Sequence, residues 1–189
     1  MMNKKKRFQI YYLLVSEGTT EYNLFAYLTK NRFRELFDKS NIKFSDKVEI
    51  AEAGISKGKL DGVSDLSSFK KNYKLIKKKY KGQKRFFLID NDLDDSLKIK
   101  ALIEKNEDII QFVEYNSEYL LLNFAGKNLK KPSDFDNLIS FRKYCKAEFT
   151  KQFGKIASEF HETDFDNILK KIGDEEIKKT FPSLFSTLT

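Results

Sequence analysis

The sequence predicts an α/β fold, with an open, mainly parallel sheet, helices on both faces and a helical cap at the C-terminal end. Short, continuous apolar runs, typical of strands buried on both faces, alternate with segments whose apolar residues recur every three or four positions. From Ser133 onward only the helical periodicity remains. Because strands that alternate with helices pack most economically as a parallel sheet, these observations predict the class and the cap.

The first predicted strand is the apolar run over residues 8–15. From Glu21 the period changes to that of a helix with one apolar face, made by Leu24, Phe25, Leu28, Phe33, Leu36 and Phe37. A second strand is predicted over residues 47–53, and the glycine-bearing loop GISKGKLDG follows it. This part of the chain therefore begins with a strand, a helix and a second strand.

The next predicted helix covers residues 66–80, where apolar side chains recur in steps of three and four and lysines form the opposite face. Gly82 ends this helix, and the buried strand 85–89 runs into the acidic stretch DNDLDD. A short helix over residues 97–105 and a strand over 109–113 complete the sheet. We therefore predict an α/β domain over residues 8–126 and a helical extension packed on it over residues 127–189.

The composition limits the kind of site and partner. The 36 Lys and Arg residues exceed the 28 Asp and Glu residues, and a net charge of +8 favours a polyanionic partner such as nucleic acid. Lysine-rich helices are also often no more than solvated faces, so charge alone leaves the partner open.

A single cysteine, Cys145, and a single histidine, His161, exclude a disulfide framework and a Cys/His zinc site, and they favour the cytoplasm. No apolar run approaches the ~20 residues of a membrane span.

Acidic residues follow three of the predicted strands. Glu17 lies just past the first strand, Asp90 and Asp92 lie just past the strand over residues 85–89, and Glu118 comes shortly after the strand over residues 109–113. In an open parallel sheet the carboxyl ends of the strands share one edge, where loops converge and sites form. We therefore expect these carboxylates to lie together.

Clustered carboxylates raise one another's pKa unless a cation neutralises them. Oxygen ligands without His or Cys favour a hard cation, which predicts Mg²⁺ or Mn²⁺. Such ions, singly or as a pair about 3.5–4 Å apart, assist phosphodiester cleavage. The alternative is that these acids are ordinary residues of loops and helix N-termini, where the helix dipole favours them.

Three segments of the chain resemble a known family. "VSEGTTEYNLFAYL", "FFLIDNDLDD" and "EYNSEYLLLNF" are similar to the motifs of the Toprim domain, found in topoisomerases, primases and OLD-type nucleases. More narrowly, they resemble the small RloB-like and related abortive-infection proteins. The likeness covers roughly residues 8–126 and implies a Toprim-like sheet.

The resemblance also implies roles for particular residues. It makes Glu17, Asp90 and Asp92 the catalytic acids and metal ligands, with Glu17 able to act as general acid or base. It makes Glu21 and Glu118 auxiliary ligands. The family's third motif often carries a His in its helix, whereas this chain has none there. A role in phage defence is a further implication, and a separately encoded partner ATPase is left open.

The sequence therefore predicts a Mg²⁺-dependent nuclease that acts on DNA or RNA. The backbone N–H groups of Gly18, Thr19 and Thr20 would open a helix whose positive end binds phosphate. Lys57 and Lys59 would contact the nucleic-acid backbone.

Two alternatives remain open. One is a Toprim module that binds nucleic acid or a partner protein and cuts nothing. The other is a phosphatase with Asp90 as nucleophile, because a strand that ends in Asp-x-Asp also suits that class; such an enzyme would tolerate the loss of Glu17.

Overall fold

The computed structural model describes residues 9–45, 48, 55–56, 59–60, 65–92 and 94–188. These residues form an α/β structure around an open, mainly parallel sheet, as the sequence predicts. The strands are β1 (Ile10–Ser16), β2 (Ile42–Ser45), β3 (Ile55–Ser56), β4 (Lys59–Leu60), β5 (Lys84–Asp90) and β6 (Ile109–Val113).

The long strand β1 lies inside the sheet. It pairs in parallel with β5 on one side, and β5 pairs in parallel with β6. On its other side β1 pairs in parallel with β2 along its first half and with β4 at Ser16. Among the described strands, only the two-residue strands β3 and β4 pair with each other in antiparallel orientation. The carboxyl ends of β1, β5 and β6 therefore reach one edge of the sheet, and loops from all three strands meet there.

Helices cover both faces of this sheet. They are α1 (Thr19–Tyr27), α2 (Arg34–Lys39), α3 (Leu66–Lys79), α4 (Ser96–Glu104), α5 (Ser117–Phe124), α6 (Leu138–Phe153), α7 (Glu162–Leu169), α8 (Asp174–Thr180) and α9 (Pro182–Ser186). Alternate residues of β1 point to opposite faces. Tyr12 and Leu14 pack with α1, α5 and the C-terminal helices, whereas Leu13 and Val15 pack with α3 and α4.

The C-terminal helices form the predicted cap and share the core on the α1 face. Several buried aromatic side chains do this, namely Phe149, Phe160, Phe165 and Phe181. The Gln111 side chain of β6 accepts a hydrogen bond from Ser183 N at 2.9 Å and donates one to Thr180 O at 3.3 Å. Cys145 of α6 is buried with Tyr119 and Phe141, as a small apolar residue would be.

The structure differs from the prediction in one additional strand and one divided helix. Strand β2 was not predicted, because a four-residue strand carries too little periodicity to be recognised, and the predicted strand over residues 47–53 lies outside the described residues apart from Val48. The helix predicted from Glu21 to Phe37 divides into α1, a π-helical turn (Leu28–Arg32) and α2. Thr29 lies inside this turn, and its hydroxyl donates to Phe25 O at 2.9 Å.

None of the described helices combines the length and the apolar character needed to cross a lipid bilayer.

Candidate active site

The acids that end β1 and β5 lie next to each other. The Glu17 N–H donates to Leu88 O at 3.0 Å, which extends the β1–β5 pairing by one residue. The Glu17 carboxylate Oε2 then accepts a hydrogen bond from Asp90 N at 3.1 Å. The sheet itself therefore brings together the two acids that the sequence places at separate strand ends.

Two helix N-termini add further acids to this edge. Glu21 lies in the first turn of α1 and is buried, and its carboxylate accepts hydrogen bonds from Gly18 N and the Ser117 side chain. Asn116 caps α5 by accepting a hydrogen bond from Tyr119 N at 2.8 Å. This cap fixes Glu118 in the first turn of α5, beside the other acids.

Gly18 allows the Glu21 carboxylate to come close. Its backbone is extended, at φ −141° and ψ −176°, so the conformation suits any residue. A Cβ atom at this position, however, would lie 2.5 Å from Glu21 Oε2. Because the Gly18 N–H already donates to Glu21, the structure gives it an internal partner where the sequence predicted a phosphate contact.

Asp92 forms an ion pair with a residue that the sequence did not indicate. Arg142 of α6 donates from Nε to Asp92 Oδ2 at 2.5 Å and from Nη2 to Asp92 Oδ1 at 2.6 Å. Asp92 is almost fully buried, whereas the Arg142 side chain is partly exposed. The predicted metal ligand Asp92 is thus held by a guanidinium, and the pKa of Arg142 rises because of this contact.

The remaining acids lie near one another without a paired cation among the described residues; Glu21 is buried, and Glu17, Asp90 and Glu118 are half-buried. Burial raises the pKa of Glu17 to about 8, and the neighbouring Asp92 and Glu21 carboxylates add to the effect. Burial, followed by repulsion from Glu21 and Glu17, holds the pKa of Asp90 well above its usual range. The pKa values of Glu21 and Glu118 are raised mainly by burial. The ionised cluster is therefore unfavourable without a further cation.

A cleft of about 400 Å³ opens over this cluster. Glu17, Asp90 and Glu118 line it together with Arg142 and Lys146, which stand one helical turn apart on α6. The α6 helix of the C-terminal extension therefore supplies the basic side of a cleft whose acidic side comes from the sheet edge.

The donor set fits a hard divalent cation that keeps most of its water. Asp90 Oδ1 is buried and has no hydrogen-bond partner in the described structure, and the nearby acids supply only oxygen atoms. Among the described residues, however, no three Asp, Glu, His or Cys side chains are grouped so as to hold a metal ion. Mg²⁺ is commonly held by one or two carboxylates plus water and phosphate oxygens, a number of carboxylates that Glu17 and Asp90 would supply.

Comparisons with protein families, with characterised proteins and with solved structures found no match for this chain. The function proposed below therefore rests on the side chains that line the cleft.

Some of the residues predicted to bind phosphate lie at the cleft, and others lie wholly or partly outside the described residues. Thr19 and Thr20 open α1 at the cleft, and the Thr20 side chain is buried. Lys57 lies outside the described residues. The backbone of Lys59 pairs with Ser16, next to Glu17, although its side chain is not described. Arg142 could not be recognised in advance, because nothing in its helical segment distinguishes it from the other basic residues.

Proposed function

We propose that this protein is a cytoplasmic, Mg²⁺- or Mn²⁺-dependent nuclease of Toprim type that hydrolyses phosphodiester bonds in DNA or RNA. The observation that carries the proposal is the partly buried carboxylate cluster at the sheet edge, in which Glu17 accepts a hydrogen bond from Asp90 N and Asp90 Oδ1 has no partner among the described residues. Burying like charges without a counterion is costly, and a hard cation offsets that cost. Mutual repulsion is thus the physical reason for metal binding.

Glu17 and Asp90 would hold the ion directly, whereas Glu21 and Glu118 would act through water. When bound, Mg²⁺ supplies Lewis-acid stabilisation to a phosphoryl oxygen. Glu17 has a pKa of about 8 in the metal-free protein, so it would release a proton when the ion binds to its carboxylate. The hydrogen bond from Asp90 N keeps that carboxylate oriented towards the ion site.

Arg142 and Lys146 would bind the substrate phosphate. A guanidinium has five N–H donors, and the ion pair with Asp92 uses Nε and Nη2. The remaining donors suit a phosphate oxygen, which Arg binds in a planar, often bidentate geometry. Lys146 lines the same cleft and adds a second positive charge.

The proposal is tested by incubating plasmid DNA, single-stranded DNA and structured RNA with the protein in Mg²⁺ or Mn²⁺. The test variants are Glu17→Gln and Asp90→Asn, and the control is Glu104→Gln, a surface residue of α4 that pairs with Lys100. We expect metal-dependent cleavage that falls roughly 100-fold or more in the test variants and is unchanged in the control. Cleavage by the test variants at the parent rate would show that a contaminant cuts the substrate.

The same experiment separates the two alternatives. Salt-sensitive binding without any cleavage would identify a module that only binds nucleic acid. Hydrolysis of small phosphate esters that survives Glu17→Gln and disappears in Asp90→Asn would identify a phosphatase with Asp90 as nucleophile.

The resemblance to abortive-infection proteins leads us to propose a role in phage defence, with a separately encoded ATPase as a partner. Expression of the parent in a host should reduce phage plaque numbers relative to Glu17→Gln. Equal plaque numbers for the parent and this variant would contradict the proposed role.

A further inference from the structure

Helix α3 and the turn after it carry a concentration of positive charge that the cleft does not use. Residues 66–84 contain eight lysines and no acidic residue, and all eight are exposed: Lys70, Lys71, Lys74, Lys77, Lys78, Lys79, Lys81 and Lys84. Removing these eight from the 36 basic residues leaves 28, equal to the 28 acidic residues. The net charge of the whole chain is therefore concentrated in this lysine segment.

Three other helices each pair a cation with an acid one turn away. Arg34 pairs with Asp38 in α2, Lys100 with Glu104 in α4, and Lys178 with Glu175 in α8; these contacts measure 3.3, 3.8 and 2.7 Å. Helix α3 has no acidic residue with which to form such pairs. Lysines three or four residues apart on a helix repel each other, and each like-charged pair costs about 0.2–0.5 kcal/mol.

Helix-dipole effects account for only part of this pattern. Cations are favoured in the last turn of a helix, which covers Lys77, Lys78 and Lys79. The dipole gives no such advantage to Lys70 and Lys71, which lie in the N-terminal half of α3. A partner that neutralises the whole stripe explains both halves of the helix.

The lysine segment is held rigidly and begins at the edge of the sheet that carries the cleft. Phe69, Tyr73 and Ile76 bury the opposite face of α3 against the sheet. The Leu66 N–H donates to Asp95 Oδ2 at 3.2 Å, only three residues beyond Asp92. The lysines therefore extend away from the loop that carries Asp92.

We infer that the lysine segment binds the phosphodiester backbone of a nucleic acid that extends beyond the cleft. The choice of nucleic acid as the polyanion rests on the proposed function. From Lys70 to Lys78 the stripe spans about 12 Å along the helix, given a rise of about 1.5 Å per residue. One strand of DNA carries a phosphate about every 3.4 Å, so this length faces about three or four phosphates. Such contacts position a substrate without reading its sequence.

The test compares two variants that lose the same charge. The test variant replaces four lysines of α3, a helix that contains no acidic residue, with Gln. The control replaces four lysines that form ion pairs elsewhere in the protein. The test variant is Lys70→Gln, Lys71→Gln, Lys74→Gln and Lys78→Gln, and the control variant is Lys98→Gln, Lys100→Gln, Lys151→Gln and Lys178→Gln. Binding to a labelled duplex of about 30 base pairs is measured in EDTA between about 50 and 200 mM NaCl.

We expect the test variant to lose roughly tenfold or more affinity relative to the control at about 100 mM NaCl. Its slope of log affinity against log salt should fall by about three, because each neutralised phosphate contact contributes about 0.9. Equal loss of affinity in both variants would overturn the inference. Melting curves check that both variants fold. If the fourfold test variant does not fold, the double variant Lys70→Gln and Lys71→Gln replaces it.

Three further outcomes are decisive. A parent that binds in EDTA but cleaves nothing with metal would refute the proposed function and leave this inference standing. Cleavage by the parent with equal binding by both variants would refute the inference alone. Binding to vesicles with about 30% phosphatidylserine, without binding to DNA or RNA, would assign the lysine segment to a membrane surface and overturn it.

Discussion

Glu17 and Gly18 show how single residues determine the electrostatics of the cleft. The Glu17 carboxylate is held by Asp90 N and buried near Asp92 and Glu21, so it is difficult to ionise in the metal-free protein. Gly18 has no side chain, and this absence allows the Glu21 carboxylate to come within contact distance. The spacing of the acids therefore depends on a hydrogen bond and on a missing Cβ.

The raised pKa of Glu17 predicts that the metal-free protein loses stability as the pH rises. A carboxyl group with a raised pKa binds its proton more tightly in the folded state than in the unfolded state. Its stabilising effect is complete below its ordinary pKa of 4.5 and is lost as the pH passes through about 8. We expect a loss on the order of 3 kcal/mol between about pH 5 and pH 9, measured by urea unfolding in EDTA.

This pH dependence should weaken in Glu17→Gln and persist in the surface control Glu104→Gln. Addition of Mg²⁺ at high pH should restore stability in the parent, because the ion binds only the ionised, folded cluster. A free energy of unfolding that stays constant or increases over this pH range would contradict the prediction.

Substitution of Gly18 should disturb the site more than the fold. In Gly18→Ala the new Cβ would displace the buried Glu21 carboxylate, so we expect a destabilisation of about 1 kcal/mol and weaker Mn²⁺ binding. Gly173→Ala is the control, because its added Cβ would meet no atom within 4 Å. Thermal unfolding and Mn²⁺ titration measure the two effects. Parent-like Mn²⁺ affinity in Gly18→Ala would show that Glu21 adapts without consequence.

At the scale of elements, two ion pairs, each with a buried aspartate, tie distant segments together at opposite edges of the sheet. Arg142 of α6 binds Asp92, which follows β5, at the edge that carries the cleft. Arg85 at the start of β5 binds Asp108, which precedes β6, at the other edge. The first pair attaches the C-terminal helices to the site, whereas the second supports only the sheet.

The pair at the cleft should show strong coupling in a double-mutant cycle. Arg142→Gln leaves the buried Asp92 without its partner, and we expect it to lower the free energy of unfolding by about 1–3 kcal/mol, a range that allows for the partial exposure of Arg142. Asp92→Asn in the same background should recover part of this loss. Urea unfolding of the parent, both single variants and the double variant gives the coupling energy. Additive effects would show that the ion pair contributes nothing to folding.

The ion pair between Arg85 and Asp108 should affect the stability of the fold and leave metal binding at the cleft unchanged. Asp108 accepts hydrogen bonds from Arg85 Nη1 at 3.1 Å and from the Tyr73 hydroxyl at 2.6 Å, and it is almost fully buried. Asp108→Ala should therefore cost about 3–5 kcal/mol. The matched control Asp38→Ala breaks an exposed pair with Arg34 and should cost less than about 1 kcal/mol.

Mn²⁺ affinity, measured under conditions where both of these variants are folded, should equal that of the parent. A weaker Mn²⁺ affinity in Asp108→Ala would show that the two edges of the sheet are coupled.

At the scale of the whole molecule, the C-terminal helices form part of the principal core. Phe160, Phe165 and Phe181 pack in the same cluster as Leu14 of β1 and Phe86 of β5. Each buried apolar side chain of this size contributes about 1.5–3 kcal/mol, and a whole domain is stable by only about 5–15 kcal/mol. The α/β part therefore depends on the helices that follow it.

A chain shortened to residues 1–126 should fail to fold cooperatively. Its sheet would expose the face that the C-terminal helices cover, so we expect no sharp thermal transition and strong binding of a hydrophobic dye. Circular dichroism and dye fluorescence, with the full-length chain as the control, measure this. A cooperative transition in the shortened chain would show that residues 127–189 are dispensable for folding.

The sequence by itself determined the class of the fold and the edge of the sheet at which the acids meet. Burial on both faces makes a strand continuously apolar, and burial on one face gives a helix its period, so both signals are local. Parallel strands present their carboxyl ends at one edge, which is why Glu17 and Asp90 could be assigned to the same edge before the structure showed that β1 and β5 are neighbours. Short strands such as β2 carry too few residues for this kind of recognition.

Only the tertiary structure decided which groups surround those acids. Arg142 lies 50 residues from Asp92, and their contact depends on how α6 packs against α5 through Phe141 and Tyr119. The position of an amphipathic helix on its neighbour depends on the shapes of many side chains in contact, which periodicity does not encode. Sequence could therefore place the acids at one edge, but only packing could place the guanidinium among them.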